Sequence, residues 1–223
     1  MEKQVLIVYY SYSGQTRKLI HAFAEGLEEG GAVVEKLSLK PKKKMQFPLG
    51  SIFSTLVMML ETFFRKRVAI EDVQPTAGVN WDLVILAGPT WSYNPSGPVL
   101  SFFDRDGEML TQRKVLPFIS CRGYWRLHYL QLRLMLFRRK AEFLQPVVFL
   151  HTGPEPWRTI GVFLKIAGYS PESESSWIRK YYTRFGHGKE QIDYARQLGQ
   201  DFWEKFATSN TGFDQETVIR EIH

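Results

Sequence analysis

Residues 5–16 read VLIVYYSYSGQT: an unbroken apolar and aromatic run, residues 5–10, passes directly into a small, hydroxyl-rich turn. A run rich in β-branched and aromatic residues, too short for a helix and bounded by turn formers, predicts a central parallel strand covered on both faces. The turn that follows suits a phosphate. Gly14 lets the backbone bend and approach closely, the helix that starts after it offers unpaired N–H groups and a positive dipole end, and Ser11, Ser13 and Thr16 add hydroxyl donors. A plain strand-turn-helix in which Ser13 or Thr16 only caps the helix is the alternative. The chain has no G-x-G-x-x-G and no G-x-x-x-x-G-K-[ST], so a hydroxyl-rich loop around a terminal monophosphate is the better physical reading.

With 223 residues, 44% of them hydrophobic, the chain suits one domain over residues 1–208, carrying insertions at about 40–75 and 155–188, with a polar tail at 209–223. One cysteine excludes an internal disulfide framework and a cysteine-only metal site, and no metal ligand set is read elsewhere. Met1, Glu2, Lys3 and Gln4 lead into the first strand without an apolar leader, from which a cytoplasmic, reducing location is expected. The net charge of +6 points to an anionic substrate, a nucleotide or a membrane surface. Nucleic acid is not an expected partner, because no recognised nucleic-acid module is present.

Residues 16–29 read as a helix, with Leu19, Ile20, Phe23, Ala24 and Leu27 at helical spacing and Gly30 and Gly31 as its stop. Residues 33–39 alternate as a less buried outer strand would. The pattern then breaks. Lys40, Lys42, Lys43 and Lys44 precede an uncharged run of fourteen residues, 47–60, which Arg65, Lys66 and Arg67 follow. That is short of the roughly 20 residues that span a bilayer. One reading is a core or homodimer-interface helix with Ile52, Phe53, Leu56, Met59, Leu60 and Phe63 packed inward. The other is an interfacial helix, with residues 40–67 making peripheral contact with anionic lipid.

The second strong signal is WDLVILAGPTW, residues 81–91, a continuously apolar strand at 83–87 ending in a Gly88-Pro89-Thr90 turn. In open α/β sheets ligands bind beyond the carboxyl ends of the strands. The loop continues through Trp91, Ser92, Tyr93, Asn94, Pro95, Ser96, Gly97 and Pro98, offering aromatic faces and rigid corners for a flat heteroaromatic ring. A fourth strand spans residues 115–121, although Pro117 inside it would lose a ladder bond unless the strand bulges. A helix at 125–140 places Leu127, Leu130, Leu134 and Phe137 on one face, the side expected to pack. A last strand at 146–150, a short helix at 157–166 and a helix at 189–206 complete the chain. His151 and His187 have no partner near in sequence, and structural roles are expected of both.

The two loops, SYSGQT and GPTWSYNPSGP, resemble those of the flavodoxin-like FMN-binding family, in particular its NAD(P)H-quinone reductase branch. The resemblance covers about two thirds of the chain and implies a doubly wound five-stranded parallel sheet of order 2-1-3-4-5. It implies that Ser11, Tyr12, Ser13, Gly14, Gln15 and Thr16 hold the phosphate of FMN, and that Pro89, Thr90, Trp91, Ser92 and Tyr93 run along the isoalloxazine ring. Ser120, Cys121, Arg122, Gly123 and Tyr124 then form the third loop, at the ring's polar edge. The implied function is an FMN-dependent oxidoreductase passing electrons from NAD(P)H to a quinone-like or other lipophilic small-molecule acceptor, with no catalytic side chain required. A one-electron-carrying flavodoxin and a flavodoxin-like accessory protein without catalysis are the alternatives.

Overall fold

The computed structural model describes residues 3–173, 175–208 and 221–222, the last two by their backbone alone. In chain order the strands are β1 (Gln4–Tyr9), β2 (Val33–Ser38), β3 (Leu83–Trp91), β4 (Asn94–Pro95), β5 (Lys114–Cys121), β6 (Glu142–Phe143), β7 (Val147–Leu150) and β8 (Glu221–Ile222). The helices are α1 (Gln15–Glu29), α2 (Ile52–Phe63), α3 (Gly97–Asp106), α4 (Trp125–Arg138), α5 (Trp157–Ile166) and α6 (Lys189–Thr208). One sheet runs β2-β1-β3-β5-β7-β8 with parallel neighbours throughout. Its five principal strands therefore follow the expected 2-1-3-4-5 order. The fifth does not form the edge as predicted, because β8 pairs outside β7, with Val148 opposite Glu221 and Phe149 opposite Ile222. The rest of the predicted tail, 209–220 and 223, lies outside the described residues.

The continuous apolar runs are explained by two-sided burial. Along β1, Val5, Ile7 and Tyr9 join α1 and α6 in one core, while Leu6 and Val8 join α3 and α4 in the other. Alternate residues of β3 and β5 divide in the same way, Ile85 and Phe118 to the first core, Leu86 and Ile119 to the second. On the first face, α1 and α6 pack at backbone distance. A Cβ on Gly26 would stand 1.9 Å from the Arg196 carbonyl oxygen, and one on Gly199 would stand 2.2 Å from that of Phe23.

Pro117 sits inside β5 without a bulge in its pairing to β3, opposite Leu86. Leu144 N–H donates to the Val115 oxygen at 2.8 Å, so the polar groups of Val115, and of Pro117 two residues on, face the β6–β7 side. That side is interrupted there: β6 pairs only with Lys114 and Val115, and β7 begins opposite Phe118. The missing N–H falls in the gap.

In two helices the apolar stripe faces outward, which overturns the packed orientation expected of α4 and the core reading of α2. In α2, Ile52, Phe53, Leu56, Leu60 and Phe63 are exposed, and Thr55 and Thr62 are the buried residues. In α4 the packed side is Trp125, His128, Leu132 and Leu136, leaving Leu127, Leu130, Leu134 and Phe137 outward. Among the described residues no helix is long and apolar enough to cross a membrane.

Candidate functional site

β1 delivers the chain into a preformed turn. Gly14, at φ +83°, caps α1 in the left-handed region that favours glycine. Arg17 N–H donates to Ser11 Oγ at 3.2 Å and Lys18 N–H to the Gly14 oxygen at 3.1 Å, which fixes the start of the helix. The earliest N–H groups of a helix have no acceptor within it and remain available to a ligand. Thr16 is buried, and the Gln15 side-chain oxygen accepts from His187 N–H at 3.1 Å.

The second loop is more regular than expected. β3 continues past Ala87 to Trp91 and reverses through Ser92 (φ 43°) and Tyr93 (φ 71°) into β4, a two-residue hairpin pairing Trp91 with Asn94. The hairpin is fastened to the carboxyl end of α2. Asn94 Nδ2 donates to the oxygens of Thr62 (2.8 Å) and Phe63 (3.1 Å), and Ser92 Oγ donates to the Met59 oxygen at 3.0 Å. Trp91 is buried edge-on against Tyr10 and Tyr12, at 5.5 and 5.6 Å between ring centres. Behind the loop, Thr90 Oγ1 and His128 Nδ1 are 2.8 Å apart.

The three loops border one cavity of about 820 Å³, its open mouth included. Tyr12, Ser13, Gln15 and Thr16 line it from the first loop, Pro89, Thr90, Trp91 and Ser92 from the second, and Ser120, Cys121 and Arg122 from the third. Ser11 and Gly14 instead line an adjoining opening with Arg17 and Lys44. Tyr93, Gly123 and Tyr124 lie outside the lining. The two tyrosines are exposed and meet edge to face at 5.3 Å, and Gly123 (φ +157°) turns the chain before Tyr124 enters α4.

The cavity's ceiling is built from residues that were not among the predicted site residues. Phe47, Met58, Met59 and Thr62 come from the first insertion and Val162, Phe163, Ile166 and Phe185 from the second. The insertions hold each other, since Leu49 N–H donates to the Ile166 oxygen at 2.7 Å. Thr55, Met58, Met59 and Thr62 are spaced i, i+3, i+4 and i+7, a pattern readable in the sequence as one face of a helix. Nothing local indicates the ceiling residues of the second insertion.

His151 and His187 also belong here, their rings 4.8 Å apart and perpendicular. Gln191 Nε2 donates to the Leu150 oxygen (2.8 Å), so its Oε1 faces His187 Nδ1 (3.1 Å), and that nitrogen must carry the proton. His187 Nε2 then accepts from the Ser120 hydroxyl at 2.8 Å, leaving Ser120 Oγ to offer only lone pairs to the cavity. Burial lowers His187 to about 4, outweighing its contacts with Gln191 and the Leu150 backbone. Burial, with His187, Arg158 and Arg122 nearby, holds His151 well below the usual histidine range, and its Nδ1 is buried without a hydrogen-bond partner. Burial pushes the Tyr12 phenol up to about 12. Among the described residues lining the cavity, Arg122 is thus the one formal charge at neutral pH.

Neither a protein-family model nor a curated protein sequence matches the chain. Solved structures do. A candidate flavoprotein from Bacteroides eggerthii aligns at TM-score 0.52 and 16% identity, over 76% of this chain and 100% of that one. A flavodoxin from the domain Archaea aligns at 0.50 and 14%, over 92% and 99%. The flavodiiron protein of Giardia intestinalis aligns at 0.50 and 13%, over 91% of this chain and 36% of that one. At such identities the likeness speaks for architecture, and on that ground, together with the strand order and the loops at the carboxyl ends of β1, β3 and β5, this chain has the flavodoxin-like fold.

Proposed function

We propose that this protein is an FMN-dependent oxidoreductase that takes electrons from NAD(P)H and passes them to a quinone-like or other lipophilic acceptor. The observation that carries this reading is the convergence of three loops, far apart in sequence, on one cavity beyond the carboxyl ends of β1, β3 and β5. The residues there fit the cofactor. Ser13 and Thr16, with the first N–H groups of α1, suit a phosphate. Arg122 brings positive charge toward an electron-rich ring edge, and the unpartnered Nδ1 of His151 is a buried polar atom that a ligand would satisfy. Bound FMN would supply the redox chemistry, accepting hydride from NAD(P)H and releasing electrons to the acceptor. The chain's part is to bind, orient and shield. Phe47, Phe163 and Phe185 give an apolar ceiling that excludes water and suits a lipophilic molecule.

The covering of Trp91 by Tyr10 and Tyr12 favours a second reading, a binding module without turnover. Visible absorption of the purified protein before and after adding FMN separates the two. The oxidoreductase gains bound-flavin bands that NAD(P)H bleaches without oxygen; a protein that never binds FMN sinks the proposal. Gly14→Asp is the site control. A Cβ there meets only the Arg17 guanidinium, at 3.9 Å, so the substitution sets a carboxylate beside the phosphate position without crowding and should abolish binding.

A further inference from the structure

Helix α2 has two faces with different surroundings. Its inner stripe, Met58, Met59 and Thr62, roofs the cavity. Its outer stripe is solvent-facing and almost wholly apolar: Phe53 is 76% exposed, Leu60 60% and Phe64, just past the helix, 73%. A second apolar stripe lies on α4, where Leu130, Leu134 and Phe137 stand outward. The two helices are neighbours. The Arg65 guanidinium donates to Met135 Sδ at 4.0 Å, and Asn94 joins the end of α2 to Gln131, whose Nε2 donates to it at 2.6 Å. Two exposed apolar stripes on neighbouring helices mark an interaction site. Basic residues flank the stripes in sequence: Lys42, Lys43 and Lys44 precede α2, Lys66 and Arg67, paired with Glu61 and Asp104, follow it, and Arg133 and Arg138 lie on α4, all exposed.

We propose that the α2–α4 face docks this protein on the surface of an anionic lipid bilayer, both helices lying in the headgroup boundary. Charge decides the occupant. A second copy, paired through the same face by two-fold symmetry, would bring basic residues against basic residues. An anionic lipid surface complements these basic residues, and its acyl boundary receives the apolar stripes. The contact is peripheral, since the 12-residue α2 is about 18 Å long against a hydrocarbon core of roughly 30 Å. Docking would also leave the cavity about one helix diameter, ~10 Å, from the acyl boundary, a short route for a lipophilic acceptor. That route rests on the oxidoreductase reading; the docking does not.

The test is co-sedimentation of the full chain, without added flavin, with vesicles of phosphatidylcholine mixed with phosphatidylglycerol and with vesicles of phosphatidylcholine alone. The expected result is at least tenfold stronger partitioning onto the anionic vesicles, weakened by salt. Phe53→Ser with Leu60→Ser, and separately Lys42→Glu with Lys43→Glu, should each reduce it about tenfold with the far-ultraviolet circular dichroism unchanged. Equal or absent binding to the two vesicle types overturns the proposal. So does a concentration-dependent dimer in light scattering that Phe53→Ser abolishes while anionic vesicles leave the protein in the supernatant. The flavin spectrum is read separately, so failure of docking and failure of the FMN reading are distinguishable.

Discussion

His187 joins two distant parts of the chain to its own surroundings: its backbone N–H holds Gln15, and its ring holds Ser120 and the neighbouring Gln191. The neutral ring is required for this arrangement, and burial keeps it neutral down to about pH 4. In the unfolded chain the same ring takes a proton near pH 6.5, so between these values the unfolded state binds more protons. The contribution to stability is therefore whole above about pH 6.5 and falls away as pH drops toward about 4. His128, lowered to about 3 by burial, acts in the same direction. Urea unfolding at about pH 7.5 and about pH 4.5 should differ by on the order of 3 kcal/mol from His187 alone, and His187→Gln should flatten that part of the slope. An unchanged slope in the variant would refute the assignment. That Ser13, Thr16, Pro89 and Trp91 border one cavity was legible because a hydroxyl-rich turn and a strand-end loop are local patterns. His187 was not, because its bonds to Gln15 and Ser120 span 172 and 67 residues.

At the scale of elements, two contacts carry more than their size suggests. Gly199 allows α6 to approach α1 until only hydrogen fits against the Phe23 carbonyl. Gly199→Ala puts a methyl group 2.2 Å from that oxygen and must push the helices apart, at a cost of about 1–3 kcal/mol read from the denaturant midpoint, although alanine is the better helix former. Asn94, buried, ties the end of α2 to the β3–β4 hairpin by donating to the Thr62 and Phe63 oxygens. Asn94→Ala should cost about 1–3 kcal/mol and open residues 47–67 to limited proteolysis, because two helix-end carbonyls lose their donor. The elements themselves were legible, since 3.6-residue periodicity and unbroken apolar strands survive in sequence. Their orientation was not. In α2 and α4 the apolar stripe is the exposed one; periodicity alone, which left α2 open between a packed and an interfacial helix, does not say which way a stripe faces.

The whole molecule combines a doubly wound sheet with a ceiling made from two insertions, and the first insertion is closed at its base. Pro41 bridges Ile70 antiparallel, Lys42 N–H donates to the Ala69 oxygen and Glu71 N–H to the Lys40 oxygen, both at 2.8 Å. The insertion thus leaves and returns at one point, as a hairpin does. Replacing residues 44–66 with an Asn-Gly turn should keep the parallel sheet, because the two cores draw on β1, β3, β5, β7 and the helices that flank them. The loss falls on the cavity. Without Met58, Met59 and Thr62 its ceiling is gone, Tyr12 loses Phe47 and the Gln46 oxygen it donates to, and Trp91 loses the helix that anchors its hairpin. The shortened chain should therefore unfold in a single transition with unchanged far-ultraviolet circular dichroism per sheet residue, while tryptophan emission shifts to the red and becomes accessible to acrylamide. If FMN binds the intact protein, the shortened chain should still bind it through Ser13, Thr16 and α1 but release it faster, because the phosphate turn is independent of the ceiling. Loss of the cooperative transition would mean instead that the insertion is part of the folding unit, and that the sheet and its ceiling are one structure.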